Sequence, residues 1–117
     1  FLGHACEMIE GSDAGMLINI TAVPLFEGVQ ELVREGYVPG GLYRNKEFRM
    51  PMLEFEKACP DMSADFLFDP QTSGGLLISV EGTVAESLLK RLREAGVKDA
   101  AIVGEVVSEP RGKIIVL

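Results

Sequence analysis

The chain has 117 residues, a length that fits one domain with a hydrophobic core of its own. Apolar residues make up 47% and charged residues 25%, which argues against a disordered chain. The formal net charge of −7 argues against a nucleic-acid backbone or an anionic lipid surface as partner, although Arg44, Lys46 and Arg49, and again Lys90, Arg91 and Arg93, form local basic clusters.

In chain order, Leu2, Cys6 and Ile9 recur at helical spacing beside Ala5, and Gly11 stands where a C-terminal helix glycine belongs, so residues 2–10 read as a short helix. Met16 to Ile20 alternates and is β-branched at Ile18 and Ile20, which predicts a strand. Val29, Leu32 and Val33 mark a second helix from about Pro24 to Glu35, closed by Gly36. Tyr37 to Asn45 contains Pro39, Gly40 and Gly41 and reads as a loop, and residues 46–62 read as mostly irregular. Ala64 to Phe68 is a short apolar segment whose type the pattern leaves open. Asp69-Pro-Gln-Thr-Ser-Gly-Gly75 is a dense turn signal feeding an apolar strand, Leu76 to Val80.

Residues 83–95 give the clearest helix. Thr83 and Glu86 suit a capping box, Val84, Leu88, Leu89, Leu92 and Ala95 form its expected buried stripe, and Gly96 closes it. Ala101 to Val107 and Lys113 to Leu117 read as strands, with Glu109 to Gly112 as a type I turn joining them into a terminal β-hairpin. Helices mixed with hairpin-linked strands make an α+β fold the expected class, with the whole of 1–117 as one domain.

Cys6 and Cys59 with a single histidine do not complete a zinc site, so they read as buried reduced thiols and no metal site is expected. Reduced thiols point to a cytoplasmic setting. No apolar run approaches the roughly 20 residues that span a bilayer, and the first ten residues lack the basic start of a signal peptide. The opening on Phe1 in place of Met leads us to expect a segment cut from a longer protein.

The loop Asp69–Gly75 is the richest in chemistry. Asp69, Gln71, Thr72 and Ser73 supply a carboxylate, an amide and two hydroxyls, while Gly74 and Gly75 let backbone N–H groups approach an oxyanion. The same residue types also suit a structural turn, and composition alone does not choose between the two. The loop is neither a Walker A sequence nor a dinucleotide fingerprint. In Pro39–Asn45, Arg44 and Asn45 are candidates for a phosphate contact, against the reading of a solvated loop. His4 has Glu7 three residues on, and as a lone histidine it reads as structural.

Four stretches together carry a resemblance. Leu2-Gly-His-Ala-Cys-Glu-Met8, Val38-Pro-Gly-Gly41 with Arg44-Asn45, Phe68-Asp-Pro-Gln-Thr-Ser-Gly-Gly-Leu-Leu77 and Ala101-Ile-Val-Gly-Glu105 resemble, in order, motifs of the selenophosphate synthetases (selenide, water dikinases). These enzymes belong to the aminoimidazole ribonucleotide synthetase-like superfamily. The resemblance implies a C-terminal α+β domain of layered α/β/α type, partnered by an N-terminal ATP-binding domain in a dimeric enzyme. It implies a reaction of ATP, selenide and water giving selenophosphate, AMP and phosphate, with Mg2+ required.

The N-terminal segment that carries the family's reactive Cys or selenocysteine, its Lys and its magnesium-binding aspartates has no counterpart here. The fragment alone is therefore expected to be inactive and to bind neither ATP nor Mg2+ by itself. Carried over by motif, Thr72, Ser73, Gly74 and Gly75, with Asp69 and Gln71, are expected at the phosphate end of an interdomain cleft. Arg44 and Asn45 are expected nearby, and His4 at the domain junction. Hydrogenase-maturation dehydratases, thiamine-monophosphate kinases and aminoimidazole synthetases share the architecture. A free-standing ligand-binding module of the same fold is the alternative from another class.

Overall fold

The structure, a computed structural model, describes residues 1–56 and 64–117. The helix expected at the start is present as α1, Leu2–Ile9, and it buries Leu2, Ala5, Cys6 and Ile9 on one side. Strand β1 spans Gly15–Ile18, and Ile20–Ala22 then forms a single 3-10 turn capped by the Asn19 side chain.

The second helix is shorter than the pattern predicts. Helix α2 covers Val29–Arg34 only, because Gly28 enters a left-handed conformation (φ 82°) immediately before it. A chain already past Pro24 thus turns at Gly28 before it can wind.

The segment read as a loop and an irregular stretch is largely helical. Helix α3 spans Gly40–Arg49, a 3-10 turn covers Met50–Met52, and β2 spans Leu53–Phe55. Pro39 takes an extended conformation (φ −70°, ψ 144°) at the helix N-cap. The glycines that suggested a turn therefore lie in the first helical turn. Cys59 and Asp61, and the remainder of the stretch read as irregular, lie outside the described residues. Ala64–Phe68 is a 3-10 helix that buries Phe66, Leu67 and Phe68.

Leu76–Val80 is extended but joins no strand, and Leu76 is 90% exposed. A continuous apolar run specifies an extended chain without specifying a neighbour. In this sheet both neighbours of β1 are already taken. Helix α4, Gly82–Glu94, forms where expected, but its N-cap is Glu81, so Thr83 lies inside the helix and no side-chain cap bond is made. None of its residues is buried; the stripe of Val84, Leu88, Leu89 and Leu92 is at most half-buried. Gly96 closes α4 as expected, with φ 98° and the Val97 N–H donating to the Leu92 carbonyl at 3.0 Å.

The two last strands are β3, Gly104–Val107, and β4, Ile114–Val116. They do not form the expected hairpin. The sheet order is β2-β4-β1-β3, with β1 lying between them, antiparallel to β3 and parallel to β4. Strand β2 pairs in parallel with β4 on the other side. The link from β3 to β4 must therefore cross the end of β1, and Gly15 makes room for it. A Cβ at Gly15 would stand 2.2 Å from the Pro110 carbonyl oxygen. The Gly112 N–H donates to the Ala14 carbonyl at 2.8 Å, and the Met16 N–H to the Lys113 carbonyl at 3.0 Å.

The fold is thus α+β with a mixed four-stranded sheet. Met16, Ile18, Leu53, Ile114 and Val116 meet the buried side of α1, Leu42 of α3 and Phe66–Phe68 in one core. Arg49 is the one buried charged side chain among the described residues, at 8% exposure. It ties α3 to α1 through bonds from Nη1 to Glu10 Oε2 (3.1 Å) and from Nη2 to Glu7 Oε1 (3.2 Å).

Candidate functional site

The loop that follows the 3-10 helix of Ala64–Phe68 is anchored at its root and open at its tip. Phe68 is buried, Asp69 is half-buried, and Pro70 to Gly75 are exposed. The Asp69 N–H donates to the Phe66 carbonyl at 3.2 Å and the Gln71 N–H to the Asp69 carbonyl at 3.0 Å, so the first residues form a tight turn. The Gln71 side chain folds over Gly74, whose missing Cβ would lie 2.7 Å from Gln71 Oε1.

Ser73 adopts φ 56°, the only positive φ at a non-glycine position among the described residues. Side chains other than glycine seldom take this conformation, and such positions cluster at functional sites. Among the described residues, the hydroxyls of Thr72 and Ser73 have no protein partner, so both donors face solvent.

Residues 69–75 line a groove of about 480 Å³ together with Phe26 and Pro39. Pro39 opens the second of the two glycine-containing stretches, so the groove brings both stretches together. Phe26, 87% exposed, adds an aromatic wall. Sequence reasoning missed it, because a single aromatic between Leu25 and Glu27 carries no periodic signal. A hollow of similar size on α4, lined by Glu86, Leu89, Lys90, Arg93 and Glu94, has mixed charge and no convergent backbone donors. The loop groove is the better candidate for that reason.

The other expected site residues divide. Arg44 is exposed and makes no ion pair among the described residues. Its guanidinium lies beside Gly41, whose absent Cβ would be 3.8 Å from Arg44 Nη2 and 3.0 Å from Pro70 Cγ. It thus stands at the root of the loop as a free cation. Asn45 instead turns inward, its Nδ2 donating to the Phe68 carbonyl at 3.0 Å.

His4 lies on the open side of α1 with its side chain 84% exposed, and its Nδ1 is 2.9 Å from Glu7 Oε2. That hydrogen bond, helped by the His4 and Arg49 charges, holds the Glu7 carboxyl below its ordinary range. The start of α1 comes near the loop. Asp69 lies within electrostatic reach of the Phe1 backbone nitrogen. Cys6 is fully buried, and burial pushes its thiol up, which makes it a poor nucleophile. Among the described residues, no three of His, Cys, Asp and Glu come together as a group able to hold a metal ion. The loop thus presents two unpartnered hydroxyls and two glycines at its tip, with one arginine beside its root.

The family model described as AIR synthase related protein, C-terminal domain, matches residues 1–117, and the chain belongs to that family of α+β domains. The chain is 45% identical over 116 residues to the selenide, water dikinase of Pelobacter propionicus, covering 99% of this chain and 33% of that protein. It is 40% identical over 120 residues to selenide, water dikinase 2 of Peptoclostridium acidaminophilum, covering 100% and 33%. It is also 45% identical over 105 residues to the selenide, water dikinase of Caldanaerobacter subterraneus, covering 90% and 30%. The chain therefore spans about a third of the length of these relatives. No helix among the described residues is long and apolar enough to cross a membrane.

Proposed function

We propose that this chain is the C-terminal domain of an ATP-dependent selenophosphate synthetase, and that its Asp69–Gly75 loop forms one wall of a cleft shared with an N-terminal ATP-binding domain. The reading is supported by identities of 40–45% across essentially the whole chain to proteins described as selenide, water dikinases. The observation that carries the loop's role is the groove, which gathers the exposed hydroxyls and glycine backbone of residues 69–75 against Pro39 and Phe26, with Arg44 beside the loop's root and outside the groove lining. The complete enzyme, acting in the cytoplasm as a homodimer, converts ATP, selenide and water to selenophosphate, AMP and phosphate.

Phosphoryl transfer depends mainly on positioning and charge neutralisation. In this reading Thr72 and Ser73 donate to phosphate oxygens, the Gly74 and Gly75 backbone allows close approach, and Arg44 balances charge at the root. Gln71, folded over Gly74, limits the loop's freedom. Asp69 also lines the groove and its charge works against an anion, so the donors of Thr72 and Ser73 at the tip carry the contact. Magnesium is held by groups outside this chain.

The test uses the full-length protein. Thr72→Ala with Ser73→Ala is expected to raise KM for ATP about tenfold, the effect of losing two modest hydrogen bonds, with the thermal midpoint unchanged. The 117-residue chain alone is expected to form no AMP from ATP and selenide. Unchanged ATP kinetics in the double variant overturn the loop assignment, and selenide-dependent AMP formation by the short chain overturns the division of labour.

A further inference from the structure

We infer that Asn45 is a positioning residue: from α3 its amide holds the root of the Asp69–Gly75 loop, so that the loop's donors face the groove in one arrangement, and it does not itself touch the ligand. The inference rests on the anion-binding reading of that loop given above.

Asn45 Nδ2 donates to the Phe68 carbonyl at 3.0 Å, a bond between residues 23 apart in the chain. Phe68 is the last residue before the loop, and its side chain is fully buried. The bond therefore fixes the backbone at the point where the chain leaves the core. An amide spent on this carbonyl cannot turn to a ligand without leaving a buried backbone acceptor short of a partner, which is costly.

Two further contacts from the same helix act on the same short segment. Gly41, one turn before Asn45 and on the same helix face, lies against Pro70 so closely that a Cβ there would be 3.0 Å from Pro70 Cγ. Lys46 Nζ meets Asp65 Oδ1 at 2.6 Å, at the start of the 3-10 helix that leads into the loop. Helix α3 thus grips the chain before and after Phe68. Among the described residues, the loop beyond Pro70 makes no hydrogen bond or ion pair to the rest of the molecule, Gln71 over Gly74 being a contact within the loop, and its strained residue, Ser73, lies in that outer part. A loop held at its root and strained at its tip keeps its shape only while the root is fixed. Arg44, next to Asn45 in the chain but exposed, is the residue of this helix left to meet the ligand.

The experiment follows the full-length protein by amide NMR, with pyrophosphate as the probe. Pyrophosphate is expected to shift the amides of Thr72, Ser73, Gly74 and Gly75. Asn45→Ala is expected to weaken that binding by about three- to tenfold, the worth of one hydrogen bond. The loop amides are expected to exchange faster by a similar factor, while the amides of α1 exchange at the wild-type rate. If the alanine variant does not fold, Asn45→Gln, which keeps the amide one methylene further out, carries the comparison, again with loop exchange faster and α1 exchange unchanged.

Binding and loop exchange equal to wild type overturn the inference. Exchange accelerated equally in α1 also overturns it, because that marks a general structural role. If wild type shows no pyrophosphate shifts while the variant still loosens the loop, the anion-binding reading fails and the positioning role stands.

Discussion

The first half of the chain and the stretch from Pro70 to Val107 carry apolar signals of similar strength and use them differently. Helix α1 places Leu2, Ala5, Cys6 and Ile9 in the core, whereas α4, longer and at least as amphipathic in sequence, buries none of its residues. Strands β1 and β4 are central and buried, while the apolar run Leu76–Val80 stays outside the sheet. Amphipathic spacing tells a segment which side is apolar, and only the rest of the chain decides whether anything comes to cover it. Stability is therefore concentrated in one region, and the exposed loop springs from its border.

The sharpest way to break this contrast is a pair of large-to-small changes. Phe68→Ala is expected to destabilise the chain by about 3–5 kcal/mol, whereas Leu76→Ala should change it by less than about 0.5 kcal/mol. Urea denaturation of both variants checks this, and equal losses would mean that the two regions share one core.

A smaller effect is expected at Arg49, which fastens α3 to α1 through Glu7 and Glu10. Because both carboxylates remain largely solvated, Arg49→Met should cost only about 1–2 kcal/mol in the same experiment.

The smallest expected effect is a pH dependence. The Glu7 carboxyl, bonded to His4 and near Arg49, titrates below its usual value of 4.5. A carboxyl whose pKa is lower in the folded chain contributes stability above its unfolded value and loses it as pH falls through the folded one. Glu7→Gln should therefore lower the thermal midpoint slightly at neutral pH and flatten its fall below pH 4.5, so that the two proteins converge in acid.

Much of this was legible in the sequence, for identifiable reasons. Helix α1 announced itself through Leu2, Cys6 and Ile9, and α4 through its leucines. Helix α3 did not, because Pro39, Gly40 and Gly41 resemble a turn and only Leu42 and Arg49 of the whole helix are buried. Strand β2, three residues long, is too short to show an alternation. The hairpin expectation failed because proximity along the chain favours pairing of neighbouring strands, while β1, nearly a hundred residues earlier, takes the place between them. Nothing about Gly15 in the sequence reveals that another segment will cross it. For the site, the loop itself stood out through its residue types. The aromatic wall at Phe26 and the inward turn of Asn45 did not, since both depend on which distant segment lies alongside.

The interior position of β4 has a consequence for the order of events as the chain is made. Ile114–Val116 is the last of the four strands to leave the ribosome, yet it joins β1 to β2, which otherwise have no common edge. Everything synthesised earlier must wait for this segment with an open seam along β1. A protease or chaperone that meets the nascent chain before that moment meets β2 apart from β1 and β3, and afterwards one continuous four-stranded sheet.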